Sequence, residues 1–534
     1  GWELVDGTDD PSHPPSANSH SPTILWAPLE RLPQLQALYP QIVAQPDVVI
    51  PEGVHGLHPT DDPLPDLLRG RMEVEGPVTQ GELARRYGLS ASAVEQALLR
   101  LEADGMVFRG HYDPDIDGMQ WCERRLLARI HRYTLQTLRK EVQPVSPAAY
   151  MRFLFAWHGI TGDARPEGPE ALYAVIEKLQ GCEAPAVAWE SEILPARLPD
   201  YAPEWMDQLC FSGRIAWGRF TPYVGEAHAP ASLRTSPLGI CTREDLPLLL
   251  SGTAADADEE LGSEATKVLE LLEQRGALFH HDLTRLCNLL PSQVEHGLAE
   301  LVAKGRISAD GFTGLRALLV PTSKRTALKE RRARRGSTMP FSLDQAGRWW
   351  TFPRPQAART KDDIEAIARI LLLRYGVLFR KVAQRERCAP PWRELLKVLR
   401  RMEDRGEVRG GRFISGVWGE QFTLPNAIPL LRAQRAQDEQ PHATGDSAFV
   451  IISAADPLNL TGVITVGERI ASRHTERILY RQGVPIAVND GERTKWLEEH
   501  RQDPDARIRA EQAAQRLQRR VPERLRAFYG KGIG

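Results

Sequence analysis

GMVFRGHY at Gly105–Tyr112, GRIAWGRF at Gly213–Phe220, GRISADGF at Gly305–Phe312 and GEVRGGRF at Gly406–Phe413 are four copies of one short pattern. Each places a β-branched residue two positions after its glycine (Val107, Ile215, Ile307, Val408) and an aromatic seven after it (Tyr112, Phe220, Phe312, Phe413). Apolar residues stand seven and four positions before the glycine: Leu98 and Leu101, Met206 and Leu209, Leu298 and Leu301, Leu399 and Met402. Helical spacing, a residue suited to the left-handed stop, then strand residues predict a helix, a glycine C-cap and a β-hairpin, four times over.

Two copies carry more upstream. Ser92-Ala-Val-Glu95 and Ser292-Gln-Val-Glu295 match the capping box, which predicts that each Ser caps its helix. Shorter helices are expected at Gln80–Tyr87, after Thr79, and at His281–Cys287, followed by the turns Gly88-Leu89 and Asn288-Leu289-Leu290. Helix, tight turn, second helix, glycine and hairpin is the order of a winged helix. The copies are unevenly spaced, so the pattern predicts an array of elaborated domains and not a solenoid.

The expected fold is therefore α+β: tandem winged helices, then a small β-barrel or β-sheet module and a C-terminal helix. By segment the reading is 1–62, a remnant of a winged helix with wing strands at Trp2–Val5 and Thr23–Ala27; 63–118, a winged helix; 119–250, a basic helix plus an elaborated winged helix; 263–322, a winged helix; 323–360, a basic linker and aromatic segment; 361–424, a winged helix; 425–490, the barrel-like module; and 491–534, the terminal helix. In the barrel-like segment Ala448–Ala455, Gly462–Val466 and Ile478–Val488 read as strands, the last folded at Gln482-Gly483, with Gly411–Leu424 nearby. The absence of an initiator Met suggests a fragment or a processed chain, and the missing helices before the wing remnant suggest a cut within a larger protein.

Composition narrows the function. With 42% hydrophobic and 26% charged residues the 534-residue chain is of ordinary globular type, long enough for several domains. The six cysteines are scattered without a C-x-x-C pair, which predicts free thiols in a reducing compartment and no metal site. No apolar run suits a membrane span, so a cytoplasmic location is expected. The only Gly-Lys is Gly530-Lys531, so the phosphate-binding loop G-x-x-x-x-G-K-[ST] is missing, as are H-E-x-x-H and G-x-S-x-G.

A net charge of −2 taken alone disfavours nucleic acid, but the charge is unevenly spread. Between Arg369 and Arg412 there are thirteen Arg or Lys against five acids. The expected recognition helix Trp392–Asp404 carries Arg393, Lys397, Arg400 and Arg401, and its wing adds Arg409 and Arg412. Such residues suit phosphate contacts. A second basic helix, Trp121–Lys140, offers Arg124, Arg129 and Arg132 as a track for a strand backbone, and its apolar stripe (Leu126, Leu127, Ile130, Leu135, Leu138) should be buried. Trp349 and Trp350 are candidates to stack on unpaired bases. The first copy's helix, with Glu95, Glu102 and Asp104, is a poor phosphate surface. For catalysis only Asp456, after an apolar strand, and Gln421 beside Glu420 present themselves, and neither forms an acid/base pair.

LWAPLERLPQLQALYP (Leu25–Pro40), WCERRLLARIHRYTLQTLRKEVQPVSPAAYMRFLFAWHGI (Trp121–Ile160), SADGFTGLRALLVP (Ser308–Pro321), PPWRELLKVLRRMEDRGEVRGGRF (Pro390–Phe413) and SAADPLNLTGVITVGERI (Ser453–Ile470) together resemble the C-terminal region of bacterial Lhr, the large helicase-related proteins. The resemblance implies a DNA-binding and oligomerising region of a DNA-repair helicase whose ATP-dependent 3′-to-5′ motor lies in cis. ATP and Mg would belong to that motor, so no cofactor is expected in this chain. The implied partners are single-stranded or forked DNA, an RNA–DNA hybrid, and further copies of the chain as a tetramer. The region is also similar in fold to winged-helix DNA glycosylases of the AlkZ/YcaQ type, which implies an alternative: excision of uracil or an alkylated base. Gln421-Phe422-Thr423 departs from that glycosylase motif at its third residue, and Asp456 would then be the group to stabilise the sugar cation or orient water.

Overall fold

Four three-stranded antiparallel sheets, all threaded in the same order, organise the computed structural model. It describes residues 31–40, 62–140, 143–162, 164, 166–221, 233–251, 261–320, 343–353, 358–438, 449–465, 467–490 and 493–497, the side chains of Leu138, Lys140 and Asp438 apart. The chain divides into two compact units, residues 1–138 and 139–534, and each is described by itself.

In the first unit, helices Leu64–Met72, Gln80–Tyr87 and Ala91–Ala103 enclose β1 (Val78–Thr79), β2 (Val107–Gly110) and β3 (Gln120–Glu123), with the last strand between the other two. The second unit repeats this plan three times. One domain has helices Gly168–Leu179 and Pro203–Phe211 with β4 (Glu183–Pro185), β5 (Ile215–Gly218) and β6 (Pro237–Thr242). The next has Ser263–Arg275, His280–Cys287 and Pro291–Ala303 with β7 (Leu278–Phe279), β8 (Ile307–Ala309) and β9 (Arg348–Thr351). The fourth has Lys361–Tyr375, Arg380–Ala383 and Trp392–Asp404 with β10 (Val377–Phe379), β11 (Arg409–Gly411) and β12 (Gln421–Thr423). These are tandem winged helices.

The recurring glycine does the same work in every copy. Gly105, Gly213, Gly305 and Gly406 all have left-handed φ, between 68° and 76°. In each case the next residue donates its N–H back to the last helical turn: Met106 to Leu101, Arg214 to Leu209, Arg306 to Leu301 and Glu407 to Met402, at 2.8 to 3.1 Å. This six-to-one closure ends the helix and aims the chain into the sheet. The helix starts differ from expectation by two residues. Ser90, not Ser92, accepts from Ala93 N at 3.2 Å, and at the third domain Leu290 is the cap, its N–H bonded to the Gln293 side chain at 2.9 Å. Ser92 and Ser292 lie inside the first turn, because the tight turn before each helix is shorter than the pattern assumed.

The third domain departs from a simple hairpin. After β8 the chain forms helix Thr313–Leu319, and only at Arg348–Thr351 does it return to pair as the central strand, Ala309 opposite Trp349. The segment read as linker and aromatics, 323–360, therefore supplies that domain's last strand. The wing remnant expected in 1–62, the basic run within 321–342 and the terminal helix at 507–528 lie outside the described residues, except that Leu32–Leu38 is helical.

After helix Ile428–Asp438 comes an open four-stranded meander: β13 (Phe449–Ser453), β14 (Arg477–Arg481), β15 (Val484–Asn489) and β16 (Thr494–Trp496). The strands pair in sequence order without closing, so among the described residues this is a sheet and not a barrel. Gly411–Leu424 takes no part, since β12 is used inside the fourth domain, and residues 461–465 form a turn with one isolated bridge in place of the expected strand. Gln482 and Gly483, at φ 52° and 80°, make the expected tight turn. A Cβ on Gly483 would lie 2.0 Å from the Ala148 carbonyl oxygen of helix Pro147–Trp157. Gly483→Ala is therefore expected to cost the second unit about 2–4 kcal/mol, read as a lowered urea midpoint.

Two cores hold the second unit. One is shared by the second and third domains around Trp189, Trp217 and Trp349; the other joins the fourth domain, helix Pro147–Trp157 and the meander around Tyr150, Phe153 and Tyr480. No helix among the described residues is long and apolar enough to cross a membrane.

Candidate nucleic-acid interface

Helix Trp392–Asp404 is strongly two-sided. Leu395, Val398, Leu399 and Met402, at successive helical spacings, are buried in the core, which turns Arg393, Lys397, Arg400 and Arg401 to solvent. A salt bridge from Arg400 to Glu420 at 2.8 Å, with the Arg side chain still 57% exposed, ties this helix to the wing that follows β11. On that wing Arg412 is exposed and Arg409 half-buried. Behind the helix Glu403 is buried, accepting from Gly410 N at 3.0 Å and from Arg139 Nε at 2.8 Å, so the one acid facing inward is consumed at the base of the wing.

Not every cation of the domain is free for a ligand. Arg369 and Arg405 both bridge Glu365 and Glu407, and Arg405 and Arg369 hold the Glu407 carboxyl below its usual range. Glu365 is held low by the same pair, whose hydrogen bonds outweigh its burial. This cluster is a surface network and is distinct from the exposed row on Trp392–Asp404.

The wing itself is rigidified by Gln421, which is fully buried. Its Oε1 accepts from Phe413 N and Ile414 N, both at 2.9 Å, and its Nε2 donates to the Ile414 and Val417 carbonyls, both at 3.1 Å. With all its hydrogen-bonding capacity spent on the turn, Gln421 is a brace and not a catalytic group. The same device stands in the first domain, where Gln120 accepts from Tyr112 N and Asp113 N and donates to the Asp113 and Ile116 carbonyls. Gly118-Met-Gln-Trp121 and Gly419-Glu-Gln-Phe422 carry this second repeat.

Asp456 is buried with both oxygens on the Arg197 guanidinium, at 2.7 and 3.0 Å, and one also accepts from Leu458 N at 2.9 Å. Arg197 Nε in turn lies 3.4 Å from His158 Nδ1, and His158 Nε2 lies 2.7 Å from the Arg374 carbonyl. Burial, with help from Arg197, keeps His158 well below its ordinary pKa, so the ring is neutral and donates from Nε2. The chain of contacts joins the second domain, helix Pro147–Trp157, the fourth domain and the turn after β13. It is an internal staple, and it leaves the Asp456 carboxylate no open side for a substrate.

The tryptophans also correct the expectation. Trp349 is fully buried, edge-on to Trp217 at 6.3 Å, and the face of half-buried Trp350 is covered by the Arg243 guanidinium at 4.2 Å. Both rings belong to β9, where packing claims them. Among the described aromatics the most exposed is Trp418, 86% open to water at the tip of the fourth wing, ahead of Tyr133 at 73%. Its signal was present in the sequence as an aromatic between Gly416 and Gly419, in a loop with no other reason to hold one.

On helix Arg124–Lys140 the side chains of Arg124, Arg129 and Arg132 are exposed, as expected, but the described part of the apolar stripe is not fully buried, and the Leu138 side chain lies outside the described residues. Leu126, Leu127 and Leu135 are half-buried and Ile130 is exposed, because the helix carries the chain from one unit to the next and joins the core of neither.

Comparison with known families agrees with this geometry. Residues 145–231 and 357–443 match models of the winged-helix domain of the large helicase-related protein, the third and fourth of that family, and residues 72–107 match a winged helix-turn-helix DNA-binding model. The chain is an Lhr-like C-terminal region of winged-helix domains. It is 30% identical over 472 residues to the Lhr helicase/probable uracil glycosylase of Mycolicibacterium smegmatis, covering 84% of this chain and 30% of that protein. To the Lhr helicase/uracil glycosylase of Escherichia coli K12 it is 28% identical over 438 residues, 76% of this chain and 27% of that protein. The Lhr-like chain thus spans under a third of the length of the curated relatives it matches.

Proposed function

We propose that this Lhr-like chain is the DNA-binding region of a helicase whose motor lies in cis, and that its fourth winged helix is the main grip. The observation that carries this is the row Arg393, Lys397 and Arg401 on one solvent face, with Arg412 on the adjoining wing and the buried acid Glu403 turned inward. A helix lined with cations beside a basic wing fits the phosphates flanking a groove. The first domain has the same frame with the opposite surface: Glu95 and Asp104 lie on or just after its third helix, and Arg100 is spent on Asp62 at 2.8 Å. The substrate in this reading is single-stranded or forked DNA, or an RNA–DNA hybrid; ATP and Mg serve the motor, and the region self-associates as a homo-oligomer.

The reading is tested by binding of the chain to forked DNA across a salt series. About five phosphate contacts, with Arg400 counted beside that row, give a slope of log K against log salt of roughly −4 to −5. A flat line would overturn it. Uracil excision, named for both relatives, finds no support in Asp456 or Gln421, since the contacts of both are internal.

A further inference from the structure

The two fully described wings are built alike and differ at the tip. Gly110 pairs with Gln120 and Gly411 with Gln421, Gly118 and Gly419 share a left-handed φ of 97° and 95°, and the two glutamines make the same four bonds to matching backbone atoms. The residue three before the glutamine is then Asp117 in the first wing and Trp418 in the fourth, and both are exposed. At 86% exposure the Trp418 ring packs little against its own domain, and a braced turn holds its face open to a ligand. Glu420, two residues on, is bound to Arg400 of the recognition helix, so the indole stands beside the cationic row and not on a remote loop.

We propose that Trp418 stacks on an unpaired base at the edge of a duplex gripped by the fourth domain, so that this wing recognises the junction between paired and unpaired DNA. The proposal rests on the fourth-domain grip proposed above. Inside a duplex the base faces are already stacked; at a junction the first unpaired base offers a free face, and an aromatic ring accepts any of the four bases. The matching Asp117 would instead repel phosphate, which sets the first wing apart from this function.

The test uses the full chain with a tailed duplex carrying 2-aminopurine as the first unpaired nucleotide, and a blunt duplex carrying it internally. Wild type should quench the tailed probe and prefer it to the blunt one. Trp418→Ala should lose the quench and weaken tailed binding by about tenfold while leaving blunt binding within twofold; Trp418→Phe should keep most of both. Thermal melting should be unchanged in either variant. An unchanged quench in Trp418→Ala, or equal losses on both duplexes, would overturn the proposal, as would a drop in oligomer mass with DNA binding intact. If reversing the helix charges spares binding while Trp418→Ala removes the quench, the stacking stands and the helix grip fails.

Discussion

Asp456→Ala lowers the stability of the second unit by about 3–5 kcal/mol, a shift readily seen in a urea unfolding curve. The size follows from what is left behind. Arg197 is fully buried, and Asp456 is the carboxylate that neutralises it; without it the guanidinium keeps the Ile193 carbonyl and a neutral His158 as neighbours, with no counter-charge. Removing one partner of a buried pair costs far more than the pair contributes net, because an uncompensated charge remains. Asp456→Asn should recover part of the loss, since an amide oxygen can still accept from Leu458 N and Arg197. Were Asp456 a catalytic group held ready for substrate, its removal would leave stability unchanged or raised and abolish turnover alone.

Reversing Arg393, Lys397, Arg400 and Arg401 to Glu lowers affinity for forked DNA by roughly a thousandfold at 0.1 M salt, from four lost phosphate contacts. All four side chains are exposed, so the fold should survive. Among the described residues the one ion pair lost with them is Arg400–Glu420, and an exposed pair contributes little to stability. The matched control is Arg100→Glu on the first domain's third helix, which should leave affinity unchanged. DNA binding that resists the four changes, or falls equally with Arg100→Glu, would remove the fourth domain from its central place.

What was legible in the sequence was local. A helix face, a left-handed glycine and a following strand lie within fifteen or so residues, and every copy formed these three, with Val408 just ahead of its strand. The bounds of Trp392–Asp404 and its exposed cations could be read for the same reason. What was not legible depends on distant partners. The central strand of the third domain arrives after a helix and a long insertion, so Trp349 and Trp350 looked like free aromatics when they are strand residues. Asp456 meets Arg197 across 259 positions, and no pattern near either residue announces it. Gln421 is a different case, because its duplicate at Gln120, with the same glycine two residues before it, was open to inspection and would have marked both as wing braces.

The salt slope of the four-residue variant bears most directly on the fourth-domain grip. Binding to forked DNA, followed from about 50 to 200 mM salt, should give a log–log slope shallower than wild type by roughly 3 to 4. Parallel lines for the two proteins would show that these four cations do not touch phosphate, and would contradict it.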